Sequence, residues 1–260
     1  MSLQSGHHER ILSGGRGMRR CFSVALLLAC AACGSSTKAT GSAPGSTIDS
    51  TTTAAEPVPD VMSGGRYLFR PLPEKPSLTI TATGPDQWVG YPDWAMDGPE
   101  PVRADAPKGI GIAFLTADGA YRDPCHWDLL NNGQEGQPAD VPVGPTVDDL
   151  VAALRANTFY TSSAAKPVTI DGYTGKELEL QLPPRPFATC DKPPEDTTGH
   201  PFVFSGKAGL YSQGPANRWH LFILDVKGTR LIAVILSYKA TPQSDLDLAR
   251  NIMKTLDIEA

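Results

Sequence analysis

The stretch RWHLFILDVKGTRLIAVILSYKA, Arg218–Ala240, constrains the fold of this chain more than any other. Two apolar runs, LFILDV and LIAVILSY, flank Lys227-Gly228. Both are shorter than the roughly 20 apolar residues that a membrane-spanning helix needs. The pattern predicts a β-hairpin that turns at Lys227-Gly228, with the glycine supplying a positive φ. A half-exposed strand alternates apolar and polar residues, and these two are almost continuously apolar. They are therefore expected to be central and covered on both faces.

The rest of the chain supplies neighbours for that hairpin. SLTITATG (Ser77–Gly84) and KGIGIAFLTA read as strands, the second with Ile110, Ile112 and Phe114 on one face. PVTIDGYTGKELELQLP predicts two strands around Asp171-Gly172 and Thr174-Gly175. There Leu178, Leu180 and Leu182 alternate with Glu177, Glu179 and Gln181, which leaves one face wet. PDQWVGYPDWAMDGPEPVRADAP reads as a Trp/Pro/Gly-rich loop, and PPRPFATCDKPPEDTTGHP as a surface loop.

Two segments predict helices. In GPTVDDLVAALRAN, Thr146 caps, Asp149 follows three residues on, and Leu150, Val151 and Leu154 form the buried stripe. In TPQSDLDLARNIMKTLDI, Thr241 is expected to cap and Pro242 to take the first helical position. Leu246, Ala249, Met253 and Leu256 make the stripe. The sum is an α+β domain, a mainly antiparallel sheet with two or three helices.

The N-terminal part has a different character. Met18-Arg19-Arg20 is a short basic segment, and the 13 residues from Cys21 to Cys33 are apolar or small. A charged start, a short apolar run and small residues at its end make a secretory signal peptide. LLAC (Leu27–Cys30) fits a lipobox. CAAC (Cys30–Cys33) has small residues before its cysteine, and Gly34-Ser35-Ser36 after it, as acylated cysteines often do. Cys33 is the expected lipid attachment point and Cys30 the alternative. Residues 1–17 do not suit the start of a signal peptide, and Met18 is the expected first residue. Residues 34–62 are rich in Ser, Thr, Gly, Ala and Pro and cannot bury enough apolar surface to order themselves. They are expected to form a tether, with an end-to-end distance on the order of 30 Å.

Residues 63–260 are long enough for one domain with a proper core. Without the four Arg and one Glu of residues 1–33, the chain keeps 19 basic and 27 acidic side chains, a balance of −8 with His neutral. That balance speaks against a nucleic-acid partner and against electrostatic adhesion to anionic lipid. Two cysteines lie beyond the lipobox, Cys125 and Cys190. An exported domain with an even pair predicts one disulfide.

The phrases DPCHW, VGPTVDDLVAAL, TIDGYTGKELEL and ILDVKGTRL resemble a recurring exported and lipid-anchored domain of actinobacteria, over roughly Leu78–Glu259. The ending LIAVILSY…ARNIMKTLDI is similar to the α/β sandwich of PsbP-like lipoproteins. These resemblances imply fold and location. They bring no reaction, so no catalytic residue is carried over.

Chemistry-bearing motifs are sparse. In DPCHW a thiolate nucleophile at Cys125 would need a base from elsewhere, His200 or His220, because neighbours in an extended segment face apart. A bridge to Cys190 would remove the nucleophile altogether. Cys125, His126, Cys190, Asp191, His200 and His220 lack the paired short spacing of zinc ligands, so neither a metal nor a cofactor is expected. No G-x-S-x-G and no phosphate-binding Gly-Lys-Ser/Thr occurs. Glu177 and Glu179 read as a wet strand face rather than a glycosidase pair.

The aromatic residues are the better signal. Trp88, Tyr91, Trp94, His126 and Trp127 form the candidate binding surface, since Trp and Tyr offer large rigid contacts with a polar tip. The alternative is that they cover the end of the sheet as ordinary core. The expected function is a membrane-anchored, non-catalytic binding or interaction module of the cell envelope. Its partner would be a protein, a glycan or a small apolar molecule. An envelope-acting hydrolase is the alternative.

Overall fold

The computed structural model describes residues 65–72, 75–102, 107–127, 139–192, 199–205, 210–211 and 214–260. Cys30, Cys33 and residues 34–62 lie outside the described residues. In chain order the first elements are β1 (Arg66–Phe69), β2 (Thr79–Thr83), β3 (Val89–Tyr91), β4 (Ala95–Asp97), β5 (Gly111–Leu115), β6 (Gly119–Ala120), β7 (Val141–Pro142) and α1 (Val147–Ala156). Then come β8 (Thr161–Ser162), β9 (Lys166–Ile170), β10 (Tyr173–Gln181), β11 (Phe202–Ser205) and β12 (Leu210–Tyr211). The chain ends with β13 (Arg218–Val226), β14 (Thr229–Ser237), α2 (Gln243–Lys254) and β15 (Asp257–Glu259).

Lys227 and Gly228 turn at φ 50° and 80°, the left-handed pair that matches the twist of two antiparallel strands. Asp225 Oδ1 accepts from Gly228 N at 2.7 Å and closes the turn. The hairpin pairs without a break from Arg218↔Ser237 to Val226↔Thr229. It lies inside an eight-stranded sheet of order β3-β4-β5-β14-β13-β10-β8, with β9 also on β10. All strand pairs among the described residues are antiparallel. The protein is α+β and sheet-dominated, with two helices among the described residues.

Both faces of the hairpin are covered, as its composition requires. On one face Trp219, Leu221, Ile223, Ile232 and Val234 pack with Leu150, Val151 and Leu154 of α1, with Val203 and Phe204 of β11, and with Cys125 and Cys190. On the other, Phe222, Leu224, Leu231, Ala233 and Ile235 pack with Ala249, Ile252 and Met253 of α2 and with Tyr67, Phe69 and Ile80 of β1 and β2. A small sheet of order β1-β2-β15 completes that second layer. A third small sheet, β12-β11-β6-β7, adjoins the first.

Local signals account for most elements. Thr146 accepts from Asp149 N at 3.2 Å and Asp149 Oδ2 accepts from Thr146 N at 2.9 Å, a complete capping box. Three expectations are corrected. The Trp/Pro/Gly-rich loop contains the hairpin β3–β4, which pairs Val89↔Asp97 and Tyr91↔Ala95 and docks on β5. Strands of three residues are too short to show a period. Thr241 does not cap α2, whose N-cap is Pro242 without a side-chain bond. Its buried hydroxyl instead accepts from Tyr238 N and donates to Gly109 O, both at 2.9 Å, and satisfies a buried carbonyl next to β5. Finally, only Asp171-Gly172 turns between β9 and β10, at φ 48° and 76°, whereas Thr174-Gly175 lies within β10.

Gly175 has a steric role. A Cβ there would sit 2.0 Å from the Ile223 carbonyl oxygen of β13, whereas one at Gly228 would meet nothing within 4 Å. Gly228→Ala should therefore cost only the left-handed backbone penalty, about 1–2 kcal/mol. Gly175→Ala must move the backbone of a central strand and should cost more. Urea denaturation of both variants checks this, and equal losses would contradict the assigned approach of β10 to β13.

Candidate functional site

The chain from Asp123 to Trp127 makes a turn in which His126 N donates to Asp123 O at 3.0 Å. The turn aims Cys125 inward, where it is bonded to Cys190 with a Cα–Cα distance of 4.5 Å. Backbone bonds reinforce this link, from Asp191 N to Cys125 O at 2.8 Å and from Phe202 N to Pro124 O at 2.9 Å. The disulfide closes the Cys125 thiol to nucleophilic chemistry and to metal binding. Among the described residues, no three His, Cys, Asp or Glu side chains converge as a metal site.

The five residues of the candidate binding surface do not form one surface. Trp88 is 1 % exposed and belongs to the core under α2. Trp127 is 0 % exposed. Its ring lies 4.5 Å from Phe202 and its Nε1 donates to His200 O at 2.7 Å. Tyr91 and Trp94 are half-buried on the opposite face of the main sheet from Trp88. Burial raises the Tyr91 hydroxyl pKa, and the Asp97 carboxylate to which it bonds raises it further. Only His126 is well exposed. The physical reason is area: an indole loses far more by facing water than by filling a core. A Trp-rich loop beside a large sheet therefore spends its rings on packing.

His126 Nδ1 and Asp123 Oδ2 are 2.8 Å apart. The bond to Asp123 raises the imidazole pKa, slight burial opposes this, and the charges of Asp123 and Asp191 add to the rise. At Asp123 burial pushes upward, but the His126 ring and the Cys125 and His126 amides outweigh it and leave the carboxyl below its usual value.

A second place assembles from residues that are far apart in sequence. The pairing of β10 with β13 sets Glu179 opposite His220 and Gln181 opposite Arg218. His220 Nε2 meets Glu177 Oε2 at 3.0 Å, and the imidazole stacks on Phe222 at 4.4 Å. His220 Nδ1 is buried with no hydrogen-bond partner among the described residues. Glu179, Gln181, Arg218 and His220 open into a groove of about 470 Å³. Thr161 and Ser163 edge it on one side and Arg250 of α2 on the other. Arg250 Nη1 bonds Asp247 Oδ1 at 3.2 Å. No hydroxyl or thiol among the described residues hydrogen-bonds His220. The groove offers both signs of charge and several hydroxyls, without a nucleophile held by a base. The sequence did carry one sign of it, a histidine interrupting the apolar run of β13. The pairing of β10 with β13 spans some 40 residues of chain and is invisible to local periodicity.

No protein-family model and no curated protein matches the chain.

Two outcomes follow from this geometry. Replacing Cys125 and Cys190 by Ser should cost about 4 kcal/mol in the chain-entropy account of a loop of this length, read as a shift of the urea midpoint. The His126–Asp123 pair should show its linkage in NMR titration. His126 should titrate above 6.5 and fall back toward that value in Asp123→Asn. With the histidine raised, its stabilisation is complete below the unfolded-state value and is lost as pH climbs through the folded-state one. With Asp123 lowered, its share holds above the unfolded-state value of 3.8 and is lost as pH falls through the folded-state one. An unchanged His126 titration in Asp123→Asn would refute the pair.

Proposed function

We propose that this chain is an extracytoplasmic lipoprotein, acylated at Cys33 or, in the alternative, at Cys30, whose folded domain is a non-catalytic binding module of the cell envelope. The Cys125–Cys190 bond carries this reading. Stable disulfides belong to oxidising compartments, and an exported chain with a lipobox cysteine and a polar tether is held at the outer face of the membrane. The likeness to the exported actinobacterial domain supports the same location. The strand–strand–helix order of β13, β14 and α2 supports a PsbP-like sandwich.

The groove beside His220 supports binding over catalysis. Its charged groups are set around an open floor, and the imidazole is held by Glu177 rather than by a nucleophile. The burial of Trp88 and Trp127 moves the candidate contact surface from the aromatic loop to this groove. A polar ligand suits it better than an apolar one. A hydrolase would need a hydroxyl, thiol or activated water beside His220.

The test is the intact mass of the protein extracted from the membranes of its own host, with and without reduction before alkylation. The expected result is a chain starting at Cys33 or Cys30 with a diacyl or triacyl increment, and with Cys125 and Cys190 alkylated only after reduction. An unlipidated chain with Cys125 freely alkylated overturns the reading.

A further inference from the structure

The groove contains two opposite charges that ignore each other. Arg218 on β13 and Glu179 on β10 are diagonal neighbours on one sheet face, a placement that sets Cβ atoms about 7 Å apart. Neutralising one another would be the default, yet no ion pair joins them among the described residues. Arg218 is oriented by other means. Its Nε donates to Gln181 Oε1 at 2.8 Å, and Gln181 Nε2 in turn donates to Ala216 O at 2.9 Å. This fixes the guanidinium while its two terminal amino groups keep no partner among the described residues. The Glu179 backbone is held by Ser163 Oγ at 2.9 Å, and its carboxylate likewise has no partner among them. The other nearby carboxylates are occupied, Glu177 by His220 and Asp247 by Arg250.

An oriented guanidinium fork and a separate carboxylate, both facing one groove, match a small molecule with the reverse arrangement of charge. We propose that the groove binds a zwitterion of amino-acid or dipeptide size. Its carboxylate is received by the Arg218 fork and its ammonium by Glu179. A planar two-donor fork is the geometry that a carboxylate prefers, and a volume of about 470 Å³ accommodates a dipeptide. His220, next to Glu179 on the floor and fixed by Glu177, lines the site. The proposal rests on the reading of the domain as a binding module, and it names the class of ligand.

The experiment titrates the full isotope-labelled chain in detergent with dialanine, N-acetyl-dialanine and dialanine amide, following the His220 ring and the Glu179 and Arg218 amides by NMR. Dialanine should bind and move all three. Blocking the amine or the carboxylate should weaken binding about tenfold or more, the usual scale for losing one charge-assisted contact. Arg218→Gln should remove the penalty for the amide probe and leave that for the acetyl probe, and Glu179→Gln should do the reverse. Both side chains are exposed, and thermal melts of the variants verify folding. Equal response to all three probes, or no movement at these residues, overturns the proposal. The lipid anchor is judged separately by mass, so either idea can fail alone. Cleavage of dialanine that depends on Arg218 and Glu179 would keep the site and overturn the non-catalytic reading.

Discussion

Burial of one hairpin on both of its faces is the constraint on which the rest of the structure depends. Ile232 and Val234 point to one side of β14, and Leu231, Ala233 and Ile235 to the other. Each large aliphatic side chain contributes about 1.5–3 kcal/mol when fully withdrawn from water. That gain is available only if a layer lies over each face. The chain builds one layer from α1, β11 and the disulfide-linked loops. It builds the other from α2 and the β1-β2-β15 sheet. The second layer joins the first described strands to the last, because β2 pairs with both β1 and β15.

The two layers are secured differently. The α2 layer is made of regular elements with a continuous apolar contact. The other adds to α1 and β11 a set of loops and two-residue strands that have little area to bury. There the Cys125–Cys190 bond takes over, together with the Trp127–Phe202 contact and the bond from Trp127 to His200 O. Arg230 adds a polar clamp, with its guanidinium donating to the carbonyls of Ala117, Gly144 and Thr146 and so tying β14 to the entry of α1. Burial lowers its pKa, and the carboxylates of Asp149 and Asp118 partly restore it.

Side-chain character follows the cover. On one face of β13, Phe222 and Leu224 join the buried cluster, whereas His220 and Arg218 line the groove. The groove borders that cluster, with Ile235 at the boundary and Leu246 and Arg250 of α2 in its lining. Tyr160 shows the cost of incomplete satisfaction on the other face. Its hydroxyl is buried without a partner among the described residues, and burial raises its pKa.

Much of this was readable locally. The Lys227-Gly228 turn, the Thr146 capping box, the Asp171-Gly172 turn, the α1 stripe and the centrality of β13 and β14 depend on neighbours within a few residues, where steric and hydrogen-bond preferences act. The Cys125–Cys190 pairing was readable too, because only two cysteines lie beyond residue 33. The burial of Trp88 and Trp127, the hairpin within the Trp/Pro/Gly-rich loop and the diversion of Thr241 were not. Each is decided by what another part of the chain brings close. The same holds for the groove. Glu179, Arg218 and Arg250 come from three separate elements, and their meeting depends on long-range strand register and on the docking of α2 on the sheet. Local sequence determined the long strands, their turns and the helices, through forces that act over a few residues. Only the tertiary structure decided which side chains share a surface, because that depends on which faces the layers cover.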